Sequence, residues 1–251
     1  MKVRFIGAGP GDPKLITIKG KEAIESAGVV VYAGSLVNKE ILQYATAAET
    51  DIHDSAGMDL EDTEAIFKDA QERGLDLARV HTGDPSIYGA INEQMAILDR
   101  LGIEYEVIPG VSSFQAAAAT LCQELTLPEL CQTITLTRAA GRTPVPEKEA
   151  LAEIVKTTPT LVLFLSVSML DDITPTLVAE YGEDAPVAVV YRASWPDEKI
   201  VKGTLSNIAK KTKAAEIKKT ALIIVGKVLD KEAAKSLLYD KGFSHGYRKS
   251  K

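Results

Sequence analysis

The sequence has few of the residues that most often hold structural metals or form disulfides. Its 251 residues include only two cysteines and three histidines. Cys122 and Cys131 lack the spacing of metal ligands, and no export signal precedes them. Disulfides are typical of exported proteins. We therefore expect two free, buried thiols, neither a disulfide nor a zinc site, and no metal required by the protein.

Long apolar runs and an excess of positive charge are also missing. No run approaches the roughly 20 apolar residues that span a bilayer, and the first residues already form a strand-like segment rather than a secretory leader. The net charge is −6, from 35 acidic and 29 basic residues, which disfavours general electrostatic binding of nucleic acid. We expect a cytoplasmic protein that binds neither membrane nor nucleic acid. A local arginine cluster could still bind an acidic ligand.

The composition is that of an ordinary globular protein, with 45% hydrophobic and 25% charged residues. In the first half, apolar runs alternate with amphipathic segments, as in parallel βαβ units. The predicted strands are 2–8, 29–33, 75–82 and 104–108, and the predicted helices are 17–27, 60–73, 89–101 and 112–121. The strand near Val29 has no polar alternation, which is typical of a strand covered on both faces.

After about residue 122 the pattern starts again. The predicted strands are 132–138, 160–165, 186–191, 198–203 and 221–226, and the predicted helices are 147–156, 169–181 and 205–213. The runs on either side of Tyr191-Arg-Ala-Ser-Trp-Pro-Asp-Glu198 are too close for a crossover helix, which indicates a mixed sheet. We expect two α/β domains, a mostly parallel one over 1–120 and a mixed one over 121–235. A ligand-binding cleft should lie between them, and a polar basic tail should cover 236–251.

A glycine-rich turn follows the first predicted strand, in Gly7-Ala-Gly-Pro-Gly-Asp-Pro13. The dinucleotide fingerprint requires a third glycine where Asp12 stands, and a phosphate loop requires Gly-Lys-Ser/Thr where the chain continues with Pro13 and Lys14. Both departures oppose a nicotinamide-dependent oxidoreductase or a phosphate-binding protein. The acidic residue favours a ligand with a positive charge or hydroxyls.

A second glycine turn lies in Arg79-Val-His-Thr-Gly-Asp-Pro-Ser-Ile-Tyr-Gly-Ala90, at the end of a predicted interior strand. Gly83 allows the backbone to approach a ligand that a Cβ atom would keep away. Asp84 and Pro85 favour a helix start immediately afterwards. Because ligands of open α/β sheets bind at the carboxyl ends of strands, this turn predicts a ligand site.

Three segments resemble the tetrapyrrole methyltransferases that use S-adenosylmethionine, and the resemblance covers nearly the whole chain. They are Gly7-Ala-Gly-Pro-Gly-Asp12, Gly83-Asp-Pro-Ser-Ile-Tyr-Gly89 and Pro109-Gly-Val-Ser-Ser113. Members that act on uroporphyrinogen III usually carry Asp after a tyrosine where this chain has Ala33-Gly34-Ser35. A closer similarity, to the precorrin-4 or cobalt-precorrin-4 C(11)-methyltransferases of cobalamin synthesis, rests on Tyr32–Val37, Leu125–Pro128, Thr137–Glu147 and Tyr191–Glu198.

The resemblance implies S-adenosylmethionine as methyl donor, an acidic tetrapyrrole as substrate, and a homodimer. The residues implied at the cofactor combine apolar walls with hydroxyls and backbone groups, as its sulfonium and amino-acid ends require. They are Pro10, Thr82, Gly83, Asp84, Ile87, Ser112, Ser113, Leu165, Ala193 and Ala221. Core packing is the alternative for Leu165 and Ala193, and a helix N-cap for the two serines. Guanidinium forks suit ring carboxylates, and Arg138, Arg142 and Arg192 lie in the closely similar segments.

The implied reaction is methyl transfer to carbon 11 of precorrin-4 or cobalt-precorrin-4. No residue is singled out as catalytic, although His81, Asp84, Tyr88 and Glu198 are polar candidates for a general base. For His81, a satisfied structural histidine at a strand end is the favoured interpretation. Sister enzymes acting on precorrin-2, precorrin-3B or uroporphyrinogen III remain alternatives, as does a non-catalytic tetrapyrrole-binding protein. Whether the substrate ring already holds cobalt stays open.

Overall fold

The computed structural model describes residues 1–230 and residues 242, 244, 246, 247 and 249. Residue contacts divide the chain into two compact units. Unit 1 contains Met1–Ala116 and the short segment Ala193–Pro196, and unit 2 contains Ala117–Arg192 and the chain from Asp197 onward. The predicted domain 121–235 includes the segment 193–196, whereas the contacts of this segment group it with unit 1. Most of the predicted tail 236–251 lies outside the described residues.

Unit 1 is built on an entirely parallel sheet of five strands, which confirms the predicted mostly parallel sheet. The strands are β1 (Lys2–Gly7), β2 (Val29–Tyr32), β3 (Asp51–Asp54), β4 (Leu77–His81) and β5 (Glu104–Ile108), in the order β3-β2-β4-β1-β5. The helices are α1 (Ile18–Glu25), α2 (Leu60–Glu72), α3 (Asn92–Leu101) and α4 (Ser113–Leu121), of which α4 ends in unit 2.

Apolar side chains cover both faces of this sheet. Ile6, Val30 and Val80 pack in a cluster on one face, while Phe5 and Leu77 pack in a cluster on the other. All residues of β2 and β4 are buried, as expected for interior strands of a parallel sheet. Because all five strands run in the same direction, their carboxyl ends and the loops that follow them lie along one edge of the sheet.

Strand β3 is missing from the sequence prediction. Its sequence, Asp-Ile-His-Asp, has three polar residues, and half-buried positions alternate with exposed ones. It is an edge strand that pairs only with β2, within the described residues. A polar edge strand is stabilised by backbone pairing with its neighbour rather than by burial, and its charges disfavour edge-to-edge association. Apolar periodicity therefore gives no signal for it.

Two predicted helices are wrong in their limits. Asp84 and Pro85 begin a turn rather than a helix, because the Asp84 carboxylate accepts a hydrogen bond from the Ser86 N–H at 2.8 Å. Tyr88 and Ala90 then have left-handed backbones, with φ of +56° and +49°. A helix cannot pass through such residues, so α3 begins at Asn92 and not at 89.

The predicted helix 147–156 is broken into three pieces. They are a 3-10 turn at Glu147–Glu149, helix α5 at Leu151–Ile154 and another 3-10 turn at Val155–Thr157. Ala150, at the first break, has an extended ψ of 140°. A helix this short depends on its packing rather than on its own propensity.

Unit 2 contains a mixed sheet of five strands, as predicted. The strands are β6 (Ile134–Arg138), β7 (Thr160–Phe164), β8 (Pro186–Tyr191), β9 (Lys199–Thr204) and β10 (Ala221–Val225), in the order β6-β7-β10-β8-β9. Among these five described strands, only β6 and β7 pair in parallel. The antiparallel pairing of β8 with β9 confirms the predicted hairpin. Helices α6 (Leu170–Tyr181) and α7 (Ile208–Ala214) complete the described part of unit 2.

The two cysteines are free, but only Cys131 is buried. The expectation of a buried thiol is wrong for Cys122, which follows α4 in a left-handed conformation with φ +51° and is exposed. Within residues 1–230 and the few described beyond them, no helix is both long and apolar enough to cross a membrane. The same residues include no cluster of three or more His, Cys, Asp or Glu side chains that could hold a metal ion.

Candidate functional site

Three glycine turns meet backbone to backbone at the carboxyl edge of the parallel sheet. They follow β4, β1 and β5, which are neighbours in the sheet. A Cβ atom on Gly7 would lie 2.6 Å from the Gly83 oxygen and 2.5 Å from the Gly110 Cα, and one on Gly110 would overlap the Gly83 oxygen. Only glycine fits at Gly7 and Gly110. The three motifs that the sequence presents separately therefore form one junction, which we call the glycine junction.

Hydrogen bonds between the turns hold the glycine junction together. The Gly83 N–H donates to the Gly9 oxygen at 2.8 Å, and the Gly9 N–H donates to the Gly83 oxygen at 3.3 Å. The Asp84 carboxylate accepts from the Gly110 N–H at 2.9 Å and from both the N–H and the hydroxyl of Ser86. Burial acts to raise the pKa of Asp84, but the bonds from Ser86 and Gly110 outweigh it and lower the pKa. Asp84 thus stays ionised and links two turns. A carboxylate with a lowered pKa and occupied acceptor sites is a weak general base.

The first glycine loop does not present its N–H groups to a phosphate. The N–H of Ala8 donates to the backbone oxygen of His81, that of Gly9 to the backbone oxygen of Gly83, and that of Lys14 to the Asp12 carboxylate at 2.9 Å. A phosphate loop needs several free N–H groups that point at the ligand. These bonds agree with the failed fingerprints in the sequence.

Ser112 and Ser113 lie directly against Gly83. A Cβ atom built on Gly83 would be 3.6 Å from both the Ser112 Cα and the Ser113 nitrogen. Ser112 is buried at the start of α4, where its N–H donates to the Gln115 side chain at 2.9 Å. This bond is half of a capping box, so the N-cap interpretation fits Ser112. Gly83, Ser112 and Ser113, predicted from two separate motifs, are therefore neighbours.

The remaining predicted cofactor residues of unit 1 lie on the first two glycine loops, at the start of α4 and in the segment 193–196. Thr82, Ile87 and Ser113 are half-buried, while Pro10 and Ala193 are buried. The Pro10 carbonyl accepts a hydrogen bond from the Trp195 indole at 2.9 Å, and the Asp12 N–H donates to the Ser194 hydroxyl at 3.0 Å. The segment with Ala193 thus contacts the first loop.

Sequence reasoning missed the side chains that hold this first loop. Besides Trp195 and Ser194, the Asn38 amide donates to the Gly11 oxygen at 2.9 Å. The only available signal was position, because Asn38 follows the segment Tyr32–Val37 and Trp195 lies in Tyr191–Glu198, two of the segments with the closer resemblance.

A buried polar pair, Arg79 of β4 and Gln94 of α3, lies next to the second glycine turn. The Arg79 guanidinium donates to the Gln94 side chain at 2.9 Å, and Gln94 donates to the Ala90 oxygen at 3.0 Å. The bond from Gln94 supports the left-handed backbone at Ala90. Burial lowers the pKa of Arg79 to about 10.

His81 lies two residues along β4 from Arg79. Burial, reinforced by the Arg79 charge, lowers the pKa of His81 to about 3. Its Nε2 atom is buried without a hydrogen-bond partner among the described residues. The interpretation of His81 as a satisfied structural histidine is therefore wrong. At neutral pH the ring is uncharged and a weak base.

In unit 2, Leu165 directly follows β7 and is an exposed apolar residue with a left-handed backbone. Its side chain is 66% exposed and its φ is +54°, so plain core packing is excluded. The next residue, Ser166, is buried, donates to the Phe164 oxygen at 2.7 Å and accepts from the Ala139 N–H at 2.8 Å. Non-glycine residues in left-handed conformations concentrate at functional sites. Ala221, at the start of β10, is half-buried.

The three predicted arginines differ in the hydrogen bonds and ion pairs that their guanidinium groups form within the protein. Arg138 donates to the oxygens of Thr143 at 3.1 Å and Pro144 at 2.7 Å. Arg192 forms an ion pair with Asp197 at 2.6 Å. Arg142 is exposed on the loop that Arg138 holds, and no described residue forms an ion pair with it.

The other two candidates for a general base also have defined surroundings. Tyr88 is 48% exposed. Glu198 accepts a hydrogen bond from the Thr120 hydroxyl at 2.9 Å. Neither observation singles out a catalytic base.

Comparison with known proteins gives full-length relatives. The chain is 57% identical over 251 residues to the cobalt-precorrin-4 C(11)-methyltransferase of Methanocaldococcus jannaschii, covering 99% of this chain and 96% of the relative. It is 49% identical over 249 residues to the precorrin-4 C(11)-methyltransferase of Pseudomonas aeruginosa, covering 99% of both chains.

Solved structures agree with this similarity. The cobalamin biosynthetic enzyme cobalt precorrin-4 methyltransferase, CbiF, matches with a TM-score of 0.88 and 45% identity over 91% of this chain and 96% of that chain. Uroporphyrin-III C-methyl transferase from Thermus thermophilus, complexed with S-adenosyl homocysteine, matches with a TM-score of 0.76 and 27% identity over 91% of this chain and 99% of that one. The family model for tetrapyrrole (corrin/porphyrin) methylases matches residues 2–209. The chain therefore belongs to the tetrapyrrole methylase family.

Proposed function

We propose that this chain transfers a methyl group from S-adenosylmethionine to carbon 11 of precorrin-4 or cobalt-precorrin-4 in cobalamin biosynthesis. The observation that carries the proposal is the glycine junction of Gly7, Gly83 and Gly110, formed by the family motifs. It occurs in a chain whose full-length relatives carry this activity in their names. Methyltransferases of other tetrapyrroles share the family but are less similar in sequence.

The residues around the glycine junction fit S-adenosylmethionine better than a nucleotide with phosphates. The donor has no phosphate, and the first loop has few N–H groups left to bind one. When bound, the donor supplies a methyl group carried on a sulfonium. We propose that Pro10 and Ile87 give apolar contacts, that Thr82 and Ser113 give hydroxyls, and that Gly83 leaves room for the cofactor.

The other predicted cofactor residues have supporting roles or stay predictions. Asp84 joins two turns through its carboxylate, and the Ser112 N–H is used in the cap of α4, so we propose that they shape the site. Ala193 is buried and contributes through the segment that contacts Pro10. Leu165 and Ala221 in unit 2 stay predictions, although the exposed, left-handed Leu165 suits a ligand contact.

The chemistry asks the protein mainly to bind and to orient. A conjugated macrocycle carbon is the nucleophile, so no covalent intermediate with the protein is needed. Alignment of carbon, methyl and sulfur where water is excluded can contribute roughly 7–11 kcal/mol. His81 is a weak base with a pKa near 3, and Asp84 has a lowered pKa with its carboxylate already hydrogen-bonded. We therefore propose orientation, and assign no side chain as a base.

Recognition of the acidic substrate needs a guanidinium with free donors. Arg142 best meets this condition, because Arg138 holds the loop and Arg192 pairs with Asp197. A free guanidinium binds a ring carboxylate through two parallel hydrogen bonds. We propose Arg142 as a direct carboxylate ligand and Arg138 as the residue that positions it.

The homodimer implied by the resemblance and the cytoplasmic location expected from the sequence stay predictions. A homodimer would be tested by light scattering, and a cytoplasmic location by cell fractionation.

The product of the reaction tests the proposal. With a carbon-13 methyl donor and precorrin-4 or its cobalt form, we expect one labelled methyl group on carbon 11 in the NMR spectrum. A label on carbon 17 or carbon 20, or labels on carbons 2 and 7 of uroporphyrinogen III, would identify a sister enzyme instead. Cofactor binding without transfer to any of these acceptors would support a non-catalytic binding protein.

A further inference from the structure

Three side chains hold the first glycine loop between Pro10 and Asp12. The Trp195 indole donates to the Pro10 oxygen at 2.9 Å, and the Asn38 amide donates to the Gly11 oxygen at 2.9 Å. The Ser194 hydroxyl accepts from the Asp12 N–H at 3.0 Å. Each residue of the loop thus has a backbone group bound by a side chain from elsewhere in unit 1.

The indole of Trp195 also packs against the loop where a side chain would otherwise lie. A Cβ atom on Gly11 would overlap the Cδ1 and Nε1 atoms of Trp195. Gly11 is buried. The glycine is therefore required by the indole, and not by a positive φ or by a phosphate.

Ser194 has a backbone conformation that is unfavourable for a residue other than glycine. Ser194 has a φ of +70° without being glycine, and such a residue persists only where its surroundings hold it. Its hydroxyl bond to Asp12 and the neighbouring indole bond to Pro10 supply that support. The segment Ala193–Pro196 is accordingly grouped with unit 1 by its contacts.

We propose that Trp195 is a positioning residue for cofactor binding. Because the indole binds the Pro10 oxygen, the peptide between Pro10 and Gly11 has one orientation, and this fixes the surface that Pro10 presents to the cofactor. Trp195 itself contacts the loop and acts on the cofactor through Pro10. The inference rests on the proposed function, since it needs S-adenosylmethionine to bind at the glycine junction.

The chain has a single tryptophan, so its fluorescence reports on this contact without any label. We expect titration with S-adenosylhomocysteine to give a saturable change in tryptophan emission. Its midpoint should equal the Kd from calorimetry on the same protein. The experiment uses the unmodified protein and does not depend on the folding of a variant.

A substitution separates positioning from simple structural support. Trp195→Phe keeps an aromatic ring but removes the N–H donor. We expect a Kd for S-adenosylhomocysteine about tenfold weaker, measured well below the melting temperature. Pro196→Ala, an exposed residue of the same segment, is the matched control and should bind as the unmodified protein does.

The measurements distinguish failure of the inference about Trp195 from failure of the proposed function. An unchanged emission at saturation, or a Trp195→Phe protein with a lower melting temperature but an unchanged Kd, would leave Trp195 a structural residue and contradict the inference alone. No heat of binding with the unmodified protein would overturn the proposed function and, with it, the inference.

Discussion

At the carboxyl edge of the parallel sheet in unit 1, glycine backbones are in contact and the turns bind one another. The candidate residues of unit 2 are different, because Leu165 and Arg142 are exposed side chains on loops. In unit 1 the turns are packed so closely that a Cβ atom on Gly7 or Gly110 would overlap backbone atoms of the neighbouring turns. We expect the loop of unit 2 that carries Arg142 to tolerate substitution, because a Cβ atom on the neighbouring Gly141 would meet only the Met169 side chain, at 3.4 Å.

The difference suggests a division of tasks within the proposed function. A cofactor that is common to the family suits a site defined by backbone contacts, while substrates that vary within it suit exchangeable side chains. Substitutions in unit 1 should therefore affect folding and cofactor binding, and those on the loops of unit 2 should affect the tetrapyrrole.

The largest effect is expected at the glycine junction. Gly110→Ala places a Cβ atom onto the Gly83 oxygen and close to the Gly7 Cα. Overpacking of this kind costs about 3 kcal/mol or more when backbone must move, and urea unfolding measures it. Gly57→Ala, where no atom lies within 4 Å of the new Cβ, is the control and should change little. Equal stability of the two variants would show that the three turns are not in close contact.

An effect that is smaller at neutral pH but grows in acid is expected from the buried histidine at the end of β4. The folded-state pKa of His81 is about 3, below the ordinary unfolded value of about 6.5. Folding therefore favours the neutral ring, and this contribution is complete above about pH 6.5 and is lost as the pH falls toward 3. The loss reaches about 1.4 kcal/mol per pH unit.

The variant His81→Leu tests this pH dependence. Unfolding free energies measured from pH 7 to pH 4 should fall less steeply in the variant than in the unmodified protein. At pH 8 the variant should be about as stable, because the replaced Nε2 atom has no partner among the described residues. Parallel pH curves would mean that His81 is not buried as described.

The smallest effect is expected on the loop of unit 2. Arg142→Ala should raise the tetrapyrrole KM about tenfold and leave both the melting temperature and the cofactor Kd unchanged. Arg142→Lys should recover only part of the loss, because the two-pronged hydrogen bond is missing. Arg138→Ala should in addition make the loop near Thr143 and Pro144 more susceptible to proteolysis. If Arg142→Ala retains its KM, the ring carboxylates are bound elsewhere.

Much of the fold was predictable because apolar periodicity reports on burial. The interior strands of unit 1 and strand β8 of unit 2 are apolar where predicted. Strand β3 was not, because its polar residues depend on an edge pairing. The true start of α3 depends on left-handed backbones at Tyr88 and Ala90, which no residue type there signals.

The site was predictable only where local motifs form it. The glycine turns are contiguous in sequence, so their residues could be named from the family resemblance. The Trp195 bond to Pro10 joins residues 185 positions apart, and the neutral state of His81 depends on burial by several elements. Neither property is encoded in a local pattern. Both appear only when the folded neighbours are known.

One calorimetric comparison tests most directly whether the glycine junction binds the cofactor. Gly83 and Gly102 have nearly the same left-handed backbone, with φ of +61° and +65°, so Gly83→Ala and Gly102→Ala carry a similar conformational cost. A Cβ at Gly83 lies 3.6 Å from Ser112 and Ser113, whereas one at Gly102 has no neighbour within 4 Å. We predict that S-adenosylhomocysteine binds Gly83→Ala at least about tenfold more weakly and binds Gly102→Ala unchanged. Equal affinities in the two variants would contradict the account.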